Sequence, residues 1–330
     1  MATIGNSDLT LADWAKRSDP DGKVDGIVEQ LTETNEILED AVWLEGNLPT
    51  GHRTTIRSGL PAVTWRYLNY GVQPSKSTTK QVTDAAGMLE AYSEVDKALA
   101  DLNGNTAEFR ASEDMAFLEA MNQELADTIF YGNTNTDPEK FMGLAPRFNS
   151  LSAGNGGNII NGGGSGSDNH SIWLVVWGAR TCHMFFPKGK MTGLMHEDLG
   201  QHTLEDAAGG KYEGYRTWFK WEAGMTVRDW RYVVRIANID NSALTKDASG
   251  GADLIDLMTQ SLETVQDLNS GRPAFYANRT VKSFLRRQLS NKNNVNLTLD
   301  DAMGKHVLRF DGIPVRLCEG LNDGTEATIS

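Results

Sequence analysis

The most regular hydrophobic pattern in the chain is that of one long amphipathic helix. Apolar side chains recur at every fourth position and predict a helix over residues 105–131. The repeating positions are Phe117, Met121, Leu125 and Ile129. Asn105 can cap the first turn, and Gly132 can end the last one. At 1.5 Å per residue the helix would be about 39 Å long, which suits a supporting rod.

Alternating side chains predict a long β-hairpin over residues 52–92. Val63, Trp65 and Tyr67 occupy every second position of the outgoing strand, and residues 69–77 supply the turn. The returning strand carries few large apolar side chains, so the hairpin has little of its own to bury. Two interpretations stay open. The hairpin packs against another chain, or it lies as an edge hairpin on its own domain.

The rest of the chain mixes strand and helix patterns. Residues 132–170 are rich in glycine, asparagine and serine, which predicts a long loop. A strand-rich block then covers residues 171–240. The predicted elements after the loop are strands at 171–178 and 228–239, helices at 252–268 and 278–289, a strand-like run at 273–276 between the two helices, and short strands at 306–310 and 313–317. Because helices and strands follow one another irregularly, the pattern favours an α+β fold over a regular βαβ fold.

The charge of the chain is acidic and unevenly distributed. The 330 residues include 31 Lys and Arg against 44 Asp and Glu, which gives a net charge of −13. Residues 1–50 hold 3 basic and 11 acidic residues and have the pattern of an acidic helical arm. Because phosphate binding depends on Lys and Arg, this balance argues against a protein that sheathes DNA. No run of about 18 apolar residues occurs, so we expect no membrane contact.

The usual signatures of catalysis and metal binding do not come together. His196, Asp198 and His202 are the best metal candidates. A spacing of six does not place two histidines on one helical face, and nearby glycines indicate a loop. Cys182 and His183 are direct neighbours, which point to opposite faces of a strand, so they form no dyad. We predict no catalytic residue, no metal site and no cofactor. An enzyme that uses His196, Asp198 and His202 remains a third hypothesis.

The aromatic and basic block at residues 211–236 supports an alternative function. It interleaves Tyr and Trp with Lys and Arg, as single-stranded nucleic-acid-binding modules do. The same mixture is typical of sheet cores and of subunit interfaces, where Trp, Tyr and Arg are common anchors. The alternative hypothesis is therefore a single-stranded nucleic-acid-binding module centred on this block.

Three short motifs resemble those of one known family. Gly132 and the pair Gly143-Leu144 resemble the "G…GL" loop that follows the spine helix of tailed-phage major capsid proteins. The segment 275–280, Phe-Tyr-Ala-Asn-Arg-Thr, resembles the start of a helix in the same family, and 310–315, Phe-Asp-Gly-Ile-Pro-Val, resembles its "G-x-P-V" turn. With the arm, the hairpin and the long helix, these motifs cover most of the chain.

The whole chain resembles the major capsid protein of a short-tailed phage, which implies the HK97-like fold. The implied parts are an N-terminal arm (1–50), an extended loop (51–92), a peripheral domain (93–250) and an axial domain (251–330). The helix at 105–131 would be the spine of the peripheral domain. In the family, strands return to the peripheral domain after the "G-x-P-V" turn, whereas here the strand-rich block precedes it. We therefore expect an altered connection order of the two domains.

The resemblance implies a structural protein that self-assembles into hexameric and pentameric capsomers of an icosahedral head around double-stranded DNA. The implied partners are further copies of the chain, a portal protein, a scaffolding protein, a cementing (decoration) protein, and packaged DNA without specific binding. The resemblance also implies that the chain is assembled in the host bacterial cytoplasm and becomes part of the virion capsid. The expected inter-subunit contacts are Arg53, Arg57, Trp65, Arg66, Tyr67, Tyr70, Lys76, Lys80, Arg279, Arg286 and Arg287.

Overall fold

The structure is a computed structural model that describes residues 33–330 apart from 105, 207, 292–296, 303–304 and 322–325. The helices are α1 (Ile37–Asp40), α2 (Lys97–Ala100), α3 (Thr106–Tyr131), α4 (Leu254–Thr264) and α5 (Arg279–Asn291). The strands are β1 (Trp43–Glu45), β2 (Gly51–Gly59), β3 (Thr78–Ala85), β4 (Gly87–Asp96), β5 (Ile159–Asn161), β6 (Asn169–Trp177), β7 (Cys182–Phe186), β8 (Leu194–Glu205), β9 (Lys211–Val227), β10 (Val233–Asp240), β11 (Arg272–Ala277), β12 (Leu297–Ala302), β13 (Lys305–Phe310) and β14 (Ile313–Leu317). Helix and strand content together make this an α+β fold.

The chain divides into two compact units. Residues 88–125 and 191–222, with the described residues before Glu36, form what we call the helix-backed unit. Residues 36–87, 126–190 and 223–330 form the central-sheet unit. The boundary expected at residue 250 falls inside the second unit, because β10, which precedes it, and β11, which follows it, both pair with β6.

The central-sheet unit is built around β6, in which all nine residues are buried. Strands β10 and β11 flank β6 in antiparallel pairing, and β14 pairs with β11 in parallel. Ile172, Leu174 and Val176 of β6 share a hydrophobic cluster with residues of α4, among them Leu254 and Met258. The continuous apolar run predicted at 171–178 is therefore confirmed as a strand buried on both faces.

The helix-backed unit is a three-stranded sheet with α3 on one face. Strand β9 pairs with β8 in a long antiparallel hairpin and has β4 as its other neighbour. Phe117 of α3 stacks on Phe219 of β9, with ring centroids 6.2 Å apart. Arg110 of α3 lies 3.3 Å from the hydroxyl of Thr217 on the same strand. Residues facing α3 thus alternate along β9 with residues on the opposite face of the sheet.

The predicted long helix is confirmed as α3, and its last turn explains the first motif. Asn105, the predicted cap, lies outside the described residues. After Tyr131 the chain turns back so that the N–H of Gly143 donates to the carbonyl of Gly132 at 2.7 Å, and the N–H of Leu144 donates to that of Ile129 at 2.9 Å. A Cβ on Gly143 would lie 2.7 Å from a carbonyl oxygen of the helix. The glycine is needed for this close approach, which satisfies carbonyls at the helix end.

The strand predicted through Val63, Trp65 and Tyr67 is wrong. Strand β2 ends at Gly59 and pairs antiparallel with β3, while residues 60–77 have no regular structure apart from a turn at residues 68–69. These residues have no partner strand among the described residues, so the backbone hydrogen bonds that define a strand are not made there. Alternating side chains alone do not hold a strand.

The loop predicted around His196 and His202 is also wrong. Both lie in β8, a polar edge strand that is paired with β9 over its whole length. Gly200, taken from sequence as a sign of a loop, sits at a β-bulge with φ of 74°. Bulges in edge strands commonly place a glycine at positive φ, so the glycine marked an irregular strand.

Most remaining elements agree with the sequence predictions, with four differences. The helices α4 and α5 and the pair β13–β14 are confirmed, with Asp311 and Gly312 both at positive φ in the turn. Strand β10 starts at Val233 because the preceding three residues form a 3-10 turn. The glycine-rich stretch contains the short strand β5, and β12 was not predicted.

Within the described residues, no helix is both long enough and apolar enough to span a membrane.

The fourth difference concerns the acidic arm, of which residues 1–32 lie outside the described residues. The part that is described contains only the single-turn helix α1, followed by β1. Arg316 of β14 holds this turn, with guanidinium nitrogens 2.9 Å from Asp40 and 3.0 Å from Glu36. The acidic residues here serve to fix the arm to the central sheet.

Candidate inter-subunit surfaces

The hairpin of β2 and β3 is anchored at its base by buried polar contacts. Asp84 of β3 is only 7% exposed, and it lies 2.8 Å from a guanidinium nitrogen of Arg147. Thr226 donates a hydrogen bond to its other oxygen at 2.6 Å. The side chain of Asn47 brackets Arg53, accepting from its N–H and donating to its carbonyl, both at 2.7 Å. The stem is thus held firmly where it leaves the central-sheet unit.

The tip of this hairpin, residues 60–77, is exposed along its whole length and makes almost no contact with the rest of the described chain. Trp65 is completely exposed, and Tyr67 is 83% exposed. The N–H of Ala62 donates to the hydroxyl of Ser75 at 2.7 Å, which holds the two sides of the tip together. An exposed apolar patch of this kind is typical of surfaces that contact another molecule.

Over residues 51–80 the hairpin carries only positive charge. Residues 51–80 contain five Lys and Arg and no Asp or Glu. Two of the predicted contact residues, Arg53 and Arg57, line a groove of about 810 Å³ between the stem and the loop at residues 228–231. Arg180, Arg228 and Arg231 also line this stem groove, and its one carboxylate, Asp229, is bound by Arg231 at 2.6 Å. The stem groove therefore matches an acidic partner.

A second surface is the face of the β4–β9–β8 sheet that points away from α3. We call it the outer sheet face and define it by Met88, Glu90, Tyr92, Glu94, Arg216, Trp218 and Lys220. Lys220 lies 3.0 Å from Glu90 and 3.0 Å from Glu222, and hydrogen bonds to these carboxylates raise the pKa of its ammonium group. Arg216 pairs with Glu94 at 2.5 Å and lies over the ring of Tyr92. Tyr92 is still 48% exposed.

These contacts bear on the nucleic-acid hypothesis for residues 211–236. Arg216 and Lys220 are matched by carboxylates, and Arg231 is bound by Asp229. Arg235 is buried in an ion pair with Glu326. The aromatic residues are also divided, because Phe219 faces α3 while Trp218 lies on the outer sheet face. The block therefore does not form one continuous basic and aromatic surface.

The predicted contact residues on the second basic element lie together on α5. Arg279, Arg286 and Arg287 are exposed, and with Lys282, Ser283 and Leu317 they line a shallow groove of about 390 Å³, the α5 groove. Arg279 donates from Nε to Glu319 at 2.7 Å. Asn278, from the second motif, caps the helix by accepting from the N–H of Val281 at 2.9 Å. The structure thus brings the eleven predicted contact residues to two separate places, the β2–β3 hairpin and α5.

The residues considered for metal binding have structural roles. His196 packs against Phe219, with ring centroids 5.2 Å apart. Asp198 is bound by Arg110, and hydrogen bonds from that guanidinium and from the N–H of Gly200 lower the pKa of its carboxyl group. In the part of the chain that the structure describes, no group of three potential metal ligands comes together. Cys182 is fully buried, which raises the pKa of its thiol to about 12.

A pH-sensitive contact at the base of the hairpin was not evident from the sequence. His183 of β7 is fully buried beside His52 of β2, with ring centroids 5.5 Å apart. Burial, reinforced by the charge of Arg228, lowers the pKa of His183 to about 4. The sequence signal for His183 is its place in a short apolar run. That run predicts burial of the side chain, but it does not predict contact with a second histidine.

We expect His183 to make the subunit less stable in acid. Its imidazole is neutral in the folded chain and takes up a proton near pH 6.5 when unfolded, so acid favours unfolding. Between pH 7 and pH 5 this contributes a loss of about 2 kcal/mol. Urea unfolding of the unassembled chain at both pH values should show that His183→Phe removes this part of the loss. His202→Gln, on the exposed strand β8, is the control and should keep the pH dependence of the parent chain.

Comparison with known proteins places this architecture in a defined class. A solved structure of bacteriophage Epsilon15 is 43% identical, covers 100% of this chain and 99% of its own, and superposes with a TM-score of 0.78. The capsid of bacteriophage JBD30 is only 10% identical but covers 89% of this chain and 93% of its own, with a TM-score of 0.51. No curated protein sequence matches the chain. The fold is the HK97-like fold of phage capsids.

The family assignment follows from the sequence match itself. Residues 19–330 match the family described as major capsid protein GP7, and the chain belongs to that family. It is a tailed-phage major capsid protein, a structural subunit of the icosahedral shell of the virion. The family is a structural one and not a class of enzymes. The comparisons give no support to the nucleic-acid-binding alternative.

Proposed function

We propose that the subunits join by laying the tip of one hairpin across the outer sheet face of a neighbouring copy. The apolar and aromatic tip residues would pack on Met88, Tyr92 and Trp218 of the neighbour. The tip cations Arg66 and Lys76 would meet its carboxylates. Stable contacts of this kind combine buried aromatic anchors with a polar rim.

Several observations support this pairing. The tip is exposed and apolar, and residues 51–80 of the hairpin carry no carboxylate. The outer sheet face has exposed Met88 and Tyr92. Its two cations, Arg216 and Lys220, are paired with three carboxylates, those of Glu90, Glu94 and Glu222. Complementary charge favours this arrangement over contact between two tips, which would bring like charges together.

A contact between two different surfaces of the same chain has a consequence for symmetry. Because the tip and the sheet face are not the same patch, each subunit offers one of each, and copies join head to tail. Such contacts close into rings when the rotation allows. We propose that these rings are the hexameric and pentameric capsomers that the resemblance implies, and that they together build a closed head around double-stranded DNA.

The proposal assigns domain roles to the two units. The helix-backed unit with α3 as its spine would be the peripheral domain, and the central-sheet unit would hold the axial domain, which moves the boundary away from residue 250. Residues 51–92 would contain the extended loop and residues 1–50 the arm. The chain then passes between the units at residues 35–36, 87–88, 125–126, 190–191 and 222–223. The altered connection order of the axial and peripheral domains, relative to the usual order of the family, stays a prediction.

Other partners follow from the role of a shell subunit. We propose a portal protein, a scaffolding protein during assembly and a cementing protein on the finished shell, with assembly in the host bacterial cytoplasm.

The single observation that carries the proposed contact between subunits is the exposed, carboxylate-free hairpin tip.

Charge reversal at the tip tests the proposal. We expect the purified chain, with its scaffolding protein where one is required, to form rings or closed shells in electron microscopy and light scattering. Arg66→Glu/Lys76→Glu should remain monomeric under the same conditions, because the reversed tip meets carboxylates of its neighbour. Lys188→Glu/Lys190→Glu, an exposed pair elsewhere, is the matched control and should assemble. If the tip variant assembled as well as the control, the proposed contact would be wrong.

A further inference from the structure

Strand β2 has an open edge on the side away from β3. In an antiparallel pair, the N–H and C=O groups of alternate residues point to opposite edges of the strand. Those of Arg53 point away from β3, because the side chain of Asn47 binds both of them at 2.7 Å. Thr55 and Arg57 follow at every second residue, so their groups point the same way. Beyond Arg53, no described residue pairs with this edge, and the backbone groups of Thr55 and Arg57 lie open.

The contact with Asn47 shows how a partner would bind this edge. The carboxamide of Asn47 accepts from the N–H of Arg53 and donates to the C=O of the same residue. A residue of an adjacent antiparallel strand makes the same pair of hydrogen bonds. Asn47 thus occupies the first position of a third strand, and the positions beside Thr55 and Arg57 are left for another chain.

The stem groove runs along this open edge. Eight consecutive residues of the hairpin, from Arg53 to Leu60, line the groove, so it follows the length of the strand and is not confined to one of its faces. At about 3.3 Å per residue this length is about 23 Å, which an extended segment of about eight residues would fill. The groove therefore has the length and direction that a bound strand requires.

The walls of the stem groove match an acidic segment. The lining holds five arginines and a single carboxylate, that of Asp229, which Arg231 already binds at 2.6 Å. Arg57 and Arg180 are exposed and have no carboxylate partner among the described residues. Arg228 donates to a backbone carbonyl and contacts an imidazole, so neither of these contacts matches its charge. Carboxylates at alternate positions of a bound strand would form charge-assisted hydrogen bonds with these guanidinium groups.

The open backbone groups favour a polypeptide over DNA as the ligand of the groove. The backbone of DNA offers acceptors for guanidinium and N–H groups, but it has no donor for the C=O groups of Thr55 and Arg57. An extended polypeptide supplies both an N–H and a C=O group at every second residue. Addition of a strand to an open sheet edge is also a common way in which proteins bind peptides.

We propose that the stem groove binds an extended acidic segment of a different protein, which adds to β2 as a third strand of the hairpin. A different protein is the source because the acidic strands β4 and β8 of this chain already hold Glu90, Glu94 and Asp198 in ion pairs within the chain. The inference goes beyond the proposed contact between copies, since it uses the stem of the hairpin and leaves the tip free.

Binding of synthetic peptides to the full unassembled chain, measured by fluorescence anisotropy, tests the assignment of the groove. The probe is a peptide of about eight residues that alternates glutamate and threonine. Arg57→Gln/Arg180→Gln should bind this peptide about 10-fold more weakly than the parent chain, because each exposed ion pair contributes about 3-fold. The matched control, Arg286→Gln/Arg287→Gln, removes two exposed arginines of α5 and should bind like the parent chain. Equal weakening in both variants would overturn the assignment.

Amide hydrogen exchange separates strand addition from attraction between charges alone. The bound peptide should slow exchange at the N–H groups of Thr55 and Arg57, and it should change that of Arg53 far less, because Asn47 already binds this group. A second peptide, N-methylated at every residue, keeps its carboxylates but has no N–H donor, so it should bind at least about 10-fold more weakly. Equal binding of the two peptides, or unchanged exchange at Thr55 and Arg57, would show that no strand is added.

Other occupants of the stem groove would give different results. A parent chain that bound no acidic peptide, or that bound a short DNA duplex more tightly than the peptide at the same site, would overturn the proposal. If the parent chain bound no peptide and Arg57→Gln/Arg180→Gln also failed to form shells in electron microscopy, the groove would be a contact between copies of this chain. We expect this variant to lose affinity for the peptide and still form shells, which distinguishes the stem groove from the contact at the hairpin tip.

Discussion

Replacing Trp65 and Tyr67 by alanine is expected to abolish assembly while leaving the unfolding of the subunit unchanged. Both side chains are exposed in the free chain, so their removal takes away no contact that stabilises the fold. Aromatic anchors at the centre of an interface each contribute about 2 kcal/mol or more to association. In a ring the loss recurs at every contact, so the expected result is a monomeric chain in light scattering with a parental urea midpoint.

The matched control removes exposed apolar side chains elsewhere. Met115 and Met191 are 65% and 73% exposed, and Met115→Ala/Met191→Ala should assemble. If that control failed to assemble as completely as the tip variant, the effect would not belong to the tip. A tip variant that assembled normally would contradict the hairpin contact directly.

Mixing two defective chains tests the head-to-tail arrangement. The tip variant Trp65→Ala/Tyr67→Ala keeps an intact sheet face, and Met88→Lys/Tyr92→Lys keeps an intact tip. Each should be monomeric alone, because every contact in a uniform ring needs both surfaces. Their mixture retains one good contact per pair and should form dimers without rings. A mixture that remained monomeric would show that the tip and the outer sheet face do not meet.

The same residues show how far the fold could be predicted from the sequence. Helix α3 and strand β6 were predicted because each carries its own pattern, a stripe at helical spacing or a continuous apolar run, and buries it within the chain. The hairpin tip carries an alternating pattern that no surface of the described residues buries. Periodicity reports which side chains need a partner, but not whether that partner is in the same chain.

The candidate contact surfaces were predictable only in part. Exposed cations and aromatic residues on the hairpin are visible in the sequence, and so is the basic face of α5. The outer sheet face was not predicted, because its members Tyr92 and Arg216 lie far apart in sequence and meet only through the neighbouring strands β4 and β9. A surface built by long-range pairing has no local signal.

Buried charge was the other feature that sequence patterns did not reveal. Arg235 lies in an apolar strand and Glu326 near the end of the chain, yet both side chains are only 5% exposed. A guanidinium nitrogen of Arg235 lies 2.8 Å from a carboxylate oxygen of Glu326, and Nη1 donates to the carbonyl of Phe148 at 2.8 Å. The hydroxyl of Tyr131 donates to the second oxygen of Glu326 at 2.5 Å. This network ties the last residues of the chain to the central sheet.

Breaking the pair on one side is expected to destabilise the subunit by about 3 to 5 kcal/mol, because a buried charge is left without its partner. In Glu326→Gln the guanidinium of Arg235 stays buried over the ring of Trp173, and an amide cannot neutralise it. Urea unfolding of the unassembled chain should show this loss as a lower midpoint with an unchanged slope. Glu205→Gln, which breaks an exposed pair with Lys211 at 3.5 Å, is the matched control and should cost about 1 kcal/mol or less.

Removing both charges completes the argument. Arg235→Met/Glu326→Leu leaves no unpaired charge, so it should be more stable than Glu326→Gln even though it removes more hydrogen bonds. This double variant also keeps the test informative if Glu326→Gln alone does not fold. A double variant less stable than Glu326→Gln would mean that the hydrogen bonds to Phe148 and Tyr131, and not the burial of charge, determine the stability of the network. A Glu326→Gln chain as stable as Glu205→Gln would show that the end of the chain is not held by this ion pair.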